Sequence, residues 1–166
     1  MKIYRTILSA LLLVCILLVS SPLVFAADSS SSAVIKKMTH VSNLFEKVGE
    51  KIGLYFRFSN ESKLDYMEKT LETRLGEIDY VFNDDRLDRL EETTSRYSTY
   101  LANIDKFIED KKLFLKKDEL KKILIRQRPY LEFRRDSLEY GSGLWMLASH
   151  AVNSNKITEE RINSLH

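Results

Sequence analysis

Beyond residue 40, apolar residues recur at steps of three and four with charged residues between them, which is the period of amphipathic helices; no stretch alternates with the period of a strand. Val41, Leu44, Phe45, Val48, Ile52 and Tyr55 have this spacing, and Asn43 with Glu46 three positions later suits a capping box, so a first helix is expected from about 43 to 56. Ser59 then offers a hydroxyl cap, with Glu61 set against the positive end of the helix dipole. The stripe Leu64, Met67, Leu71, Leu75, Ile78 and Phe82 carries this second helix to about Asn83.

The clearest pattern follows. Leu87, Leu90, Thr94, Tyr97, Leu101, Ile104 and Ile108 alternate steps of three and four. With Asp84 and Asp85 as expected caps, a third helix from 85 to 112 would be about 42 Å long. The short Asn83-Asp84 connection makes helices two and three antiparallel, a hairpin over 59–112 whose stripes can face one another. A fourth helical region is expected from Asp118, with Leu124, Leu131, Leu138, Trp145 and Val152 at intervals of seven. This spacing predicts one long, interrupted helix, with a kink or a break near Arg128 because of Pro129, Gly141 and Gly143 a second weak point, and a short last helix from Thr158. The predicted fold class is all-α, a small helical bundle built around a long antiparallel hairpin, with residues 41–166 a single domain and its C-terminal helices within 118–165.

The N-terminus differs in kind. Lys2 and Arg5 precede an uncharged run from Ile7 to Val19, Pro22 follows, and Val24-Phe25-Ala26 places small residues where a signal peptidase needs them, so residues 1–26 read as a secretory signal peptide. The 21 residues from Ile7 to Ala27 are also long enough for a retained membrane anchor, the second reading. Cys15, the one cysteine, follows Val14 and reads as an apolar residue of the export segment rather than a lipid attachment point. Residues 27–40, with the polar run DSSSSA at 28–33, read as a flexible linker. The expected location is extracytoplasmic.

Removing 1–26 leaves 140 residues with 24 basic and 24 acidic side chains, and no cysteine for a disulfide. Charge balance and export both argue against nucleic acid. One basic run stands out: Lys116, Lys117, Lys121, Lys122, Arg126 and Arg128 belong to a stretch from Lys111 to Arg135 with only Asp118, Glu119 and Glu132 against it. It is suited to an anionic membrane surface or an acidic polymer; pairing with the acidic segment Glu68 to Glu92 inside the bundle is the more economical reading.

No set of residues calls for catalysis. His40, His150 and His166 have no metal-ligand spacing, and Asp84, Asp85, Asp88, Glu91 and Glu92 lack the glycine turn of a calcium loop. Serines fall in linkers and caps, and the five glycines form no phosphate loop. No enzyme, cofactor, metal site or small-molecule substrate is expected.

The segment LFEKVGEKIGLYFRFSNESK at 44–63, the pattern of Arg74, Leu75 and Glu77, and Tyr97 in the third helix resemble a bacterial and archaeal family, domain of unknown function 5667, over Val41 to about Phe107. The resemblance implies an exported or membrane-anchored helical domain with no established activity. It singles out Arg74 with Glu77, and Glu46, Glu50 and Lys51, for which a structural role in setting helix register is expected. The favoured function is a structural or interaction module at the cell envelope, working through a protein partner or an anionic surface. The alternative is an extracytoplasmic holdase-type chaperone, since Ile157-Thr158-Glu159-Glu160-Arg161 is similar to half of the Leu-Thr-x-x-Gln signature of such proteins.

Overall fold

The computed structural model describes residues 35–165, and the expected signal peptide, Cys15 and linker residues 27–34 lie outside them. Five α-helices and no strand occur among the described residues: α1 Leu44–Tyr55, α2 Asn60–Asn83, α3 Leu90–Lys111, α4 Lys117–Asp136 and α5 Gly143–Ser164, with 3-10 turns at Leu87–Arg89 and Phe114–Lys116. No described helix is long and apolar enough to cross a membrane.

The starts of α1, α2 and α5 follow from local side-chain chemistry. The Glu46 amide donates to Asn43 Oδ1 at 3.0 Å and the Asn43 amide to Glu46 Oε2 at 2.7 Å, a reciprocal box opening α1. Ser59 accepts from the Ser62 amide at 3.0 Å, and Ser142 from the Trp145 amide at 3.1 Å. Gly141, at φ +75°, supplies the left-handed residue in the turn before α5.

The ends of α2 and α3 share another device. Asp85 at φ 51° and Lys112 at φ 53° adopt the left-handed conformation. The chain beyond each folds back, with Arg86 N–H donating to Val81 O at 2.9 Å and Leu113 N–H to Ile108 O at 3.0 Å. The expected start of the third helix is therefore corrected: Asp84 and Asp85 close α2 instead of capping α3, which begins as an α-helix at Leu90. Its 22 residues give about 33 Å.

Two expectations about the C-terminal half are also corrected. Helix α4 runs through Pro129, and the break falls at 137–142. The carbonyl that proline leaves without a helical donor belongs to Ile125, which is half exposed, so water can serve it. Helix α5 then passes Thr158, which is buried in its interior, so there is no separate last helix. The sevenfold spacing from Leu124 to Val152 thus spans two helices.

Helices α2 to α5 form a four-membered ring, in which α3 packs on α2 and α5, and α5 packs on α4. Side-chain pairs fix the directions. Ser98 meets His150 and Asp105 meets Arg161, so α3 and α5 run parallel. Lys117 meets the Leu165 carbonyl and Arg128 meets Asn155, so α4 and α5 are antiparallel. Glu72 with Arg126 and Asp79 with Arg134 set α2 parallel to α4, a looser seam than the others. The 112–116 connection therefore crosses the bundle diagonally.

Leu64, Leu71, Leu75, Leu101, Ile104, Ile108, Leu120, Leu124, Val152 and Ile162 fill the interior. Within it Tyr97 donates to Gln127 Oε1 at 2.8 Å and accepts from Asn155 Nδ2 at 3.0 Å, and Asn155 also reaches the Leu124 carbonyl at 3.3 Å. This polar knot ties α3, α4 and α5 at one level, and burial pushes the Tyr97 phenol well above its ordinary pKa.

Helix α1 stands outside the ring. Although its sequence is amphipathic, none of its side chains is buried; Leu44, Phe45 and Tyr55 are 72%, 86% and 81% exposed, and Val48 and Ile52 about half. The segment entering it is packed, unlike the linker expected through residue 40. Val41 and Ser42 are buried, Ile35 packs against the core, and the Lys36 carbonyl lies so close to Gly76 that a Cβ there would sit 2.3 Å from it.

Candidate functional site

Between α1 and α3 lies a groove of about 440 Å³, walled by Leu44, Val48 and Leu54 on one side and Thr99, Tyr100 and Asn103 on the other. Its floor is an ion cluster built from α1, α2 and α3. Arg74 Nη1 donates to Glu77 Oε1 at 2.8 Å, and Arg74 Nη2 donates to Glu50 of α1. Glu77, wholly shielded from solvent, also accepts from the Ser42 amide at 3.0 Å, while its second oxygen lies 3.2 Å from Arg96 Nη1 of α3. Arg96 reaches toward Glu92 at 3.8 Å, and Glu92 meets Lys47 of α1 at 3.3 Å and Arg89 at 2.8 Å. The Arg74 guanidinium lies 5.7 Å from the centre of the Tyr100 ring.

The order of these residues follows from helix geometry. Arg74 and Glu77 are three apart on α2, hence neighbours on one face, as are Glu92 and Arg96 on α3 at four apart. The carboxylate at 77 faces two guanidiniums, an arrangement that offsets much of the cost of burying all three charges. Burial lowers the Arg96 pKa while Glu77 opposes it, and burial raises that of Tyr100. With its charges matched against one another, the cluster acts as a clasp that fixes α1 and residues 41–42 on the hairpin.

The residues of the basic run are scattered around α4. Lys116 lies 3.4 Å from Glu119, Lys117 donates to the Leu165 carbonyl at 2.6 Å, Arg126 pairs with Glu72 at 2.8 Å, and Arg128 binds Asn155 at 3.2 Å and Glu159. Lys122 is exposed and Lys121 half-buried, and neither has an ion-pair partner among the described residues. Of the pairing expected with the segment from Glu68 to Glu92, Arg126 with Glu72 and Arg134 with Asp79 are instances; Lys116, Lys117 and Arg128 use partners within α4 or at α5.

His40 pairs with Glu46 at 2.9 Å beside the α1 cap, and His150 with Ser98 at 3.1 Å on the far side of the bundle. Three acidic residues on α2 and α4, namely Asp65, Glu68 and Glu119, bring carboxylate oxygens within 4.8 Å of one another and are the described group able to hold a metal ion.

Sequence reasoning reached Arg74, Glu77 and Glu50 but not Arg96 and Glu92, whose spacing is that of any exposed helix pair. Their burial depends on the crossing of α3 under α1. Likewise Gln127 and Asn155 gave no signal beyond being polar residues within helical stretches.

The site and fold define a helical bundle carrying a small amphipathic helix clasped by buried ion pairs. Residues 44–112, spanning α1, α2 and α3 with the clasp, match the family model described as Domain of unknown function (DUF5667). No curated protein and no solved structure matches the chain.

Proposed function

We propose that this chain is a non-catalytic interaction module at the outer face of the cell envelope, and that its partner is a protein presenting an amphipathic helix to the α1 groove. One observation carries the reading: α1 has a capped amphipathic sequence whose apolar face no other described element covers. A helix-in-groove partner recognises apolar anchors one turn apart, and Leu44 and Val48 on the groove wall provide them, with Ile52 a turn further along α1 beside the groove. Lys51, which lines the groove and has no ion-pair partner among the described residues, supplies a charge that helps to set the partner's orientation.

The test is a photoreactive residue at position 52, carried by cells expressing the full chain, with position 126 as a control on the bundle face. A discrete crosslinked product at 52, absent at 126 and lost when Leu44 and Val48 are changed to Asp, is expected. Crosslinking at both positions alike, or at neither, would overturn the reading.

Phe45, Tyr55, Phe56 and Phe58, each largely exposed on or beside α1, favour the holdase alternative, because unfolded chains are held by such apolar surface. Suppression of aggregation of unrelated denatured proteins, lost in the same Asp variant, would select it. The membrane reading of the basic run is tested by sedimentation with anionic and neutral liposomes, using charge reversal at Lys116, Lys117, Lys121 and Lys122. Its weakness is that Lys117 and Arg126 already have internal partners.

A further inference from the structure

The loosest seam of the helix ring, between α2 and the start of α4, holds three carboxylates, one of which buries an oxygen with no hydrogen-bond partner. We propose that Asp65, Glu68 and Glu119 form a binding site for a divalent, oxygen-preferring cation, with calcium the best match. One oxygen from each lies within 4.8 Å of the others, the separation expected of atoms that share an ion. Glu68 is only 9% exposed, and its Oε1 has no hydrogen-bond partner. A buried carboxylate oxygen without a donor is costly, and two further carboxylates beside it add repulsion.

A cavity of about 310 Å³ opens on this point, lined by Asp65, Glu68, Lys69, Glu72 and Ile123. Asp65 and Glu119 are exposed, so water can complete a coordination shell around an ion seated there. Calcium accepts six to eight oxygens in flexible geometry, which suits three side chains from two separate helices; magnesium requires a tighter octahedron, and zinc prefers nitrogen and sulfur.

Lys116 Nζ stands 3.4 Å from both oxygens of Glu119, and it is the natural competitor of the ion. It leaves Glu68 Oε1 unserved. An ion would displace it and join α2 to α4 where the helices of the ring are most loosely paired.

The experiment is titration calorimetry and thermal unfolding of the purified protein, stripped with chelator, against calcium chloride up to about 5 mM at constant ionic strength, with magnesium chloride in parallel. Calcium should bind with a dissociation constant on the order of 10⁻⁴ to 10⁻³ M and raise the melting temperature, with a smaller response to magnesium. Glu119→Gln, an exposed change that keeps the fold, should weaken binding about tenfold or more. Lys116→Ala should strengthen binding. Absence of calcium binding over this range, or equal binding by wild type and Glu119→Gln, would overturn the proposal. So would a calcium response unaltered in Glu68→Gln.

Discussion

Helices α1 and α3 carry apolar stripes of the same period, yet they meet different surroundings. Leu101, Ile104 and Ile108 of α3 are fully buried, with α2 on one side and α5 on the other. Leu44, Val48 and Ile52 of α1 face solvent, and the helix is retained by Glu50 on Arg74 and Lys47 on Glu92. Lys47 with Glu92 is a half-exposed pair, a kind that commonly contributes under about 1 kcal/mol, and Glu50 with Arg74 is a largely buried one whose desolvation offsets much of its attraction, whereas a buried leucine contributes about 2 kcal/mol or more. The bundle is therefore held by packing and α1 by a clasp, so α1 is the element most readily released or re-docked.

The strongest way to break this contrast is to remove the residue both regions depend on. Glu77→Ala leaves Arg74 and Arg96 facing one another in a buried setting without their shared carboxylate. A loss of about 3–5 kcal/mol in denaturant-induced unfolding is expected. A loss below about 1 kcal/mol would mean that water reaches the guanidiniums and that the clasp is not a buried one.

The direct comparison of the two stripes comes next. Leu101→Ala opens a cavity in a fully packed core and should cost about 3 kcal/mol. Ile52→Ala on α1, at a half-exposed position, should change global stability by less than about 0.5 kcal/mol. Similar losses at both positions would show that α1 is covered in solution, as self-association through its apolar face would cause.

What could be read from the sequence divides along the same line. Periodicity and caps placed α1 and α2 closely, because Asn43, Glu46 and Ser59 act within one turn of their own backbone. The resemblance singled out the register of Arg74 and Glu77, three apart on one helix. Periodicity marks an amphipathic face without saying what covers it, so the exposed face of α1 was not legible. Helix ends failed where a non-glycine residue adopts the left-handed conformation, since Asp85 reads as a cap and Lys112 carries no signal. Pro129 misled in the opposite sense, because α4 continues through it, with the stranded carbonyl belonging to the half-exposed Ile125. Asp65, Glu68 and Glu119 meet only through the parallel pairing of α2 with α4, a tertiary fact 51 residues apart along the chain between 68 and 119.

Gly76 separates the two regions more finely. A methyl group there would meet the Lys36 carbonyl at 2.3 Å and the Met38 side chain at 2.8 Å, so the strand of chain leading into α1 must lift off α2. Gly76→Ala should cost about 1–3 kcal/mol through this crowding, while improving helix propensity in α2. Amide exchange should quicken at residues 36–42 and in α1 but not in α3. Uniform acceleration would mean that the lead segment is integral to the bundle.

Acidification should produce the smallest effect, acting on the two regions with opposite sign. Glu92 is held below the ordinary carboxylate range chiefly by its hydrogen bond from Arg89, with Lys47 contributing, and Glu46 by its bond from the Asn43 amide, with His40 contributing. A group whose folded pKa is depressed adds stability above its unfolded pKa, about 4.3 for glutamate, and that stability is lost as pH falls through the folded value. Asp105 on α3 is the reverse case: burial raises its pKa, Arg161 opposes, and its ionisation works against folding as pH rises through the raised value. Lowering the pH from neutral should therefore first relieve Asp105 in the bundle, and carrying it below about 4 should weaken the α1 clasp. Amide protection in α1 should fall relative to α3 over this interval, and the fall should be shallower at raised ionic strength, which screens the half-exposed pair of Lys47 with Glu92 and so shrinks the stability that acid removes. Loss of protection in α3 ahead of α1 would reverse the assignment of which region depends on charge and which on packing.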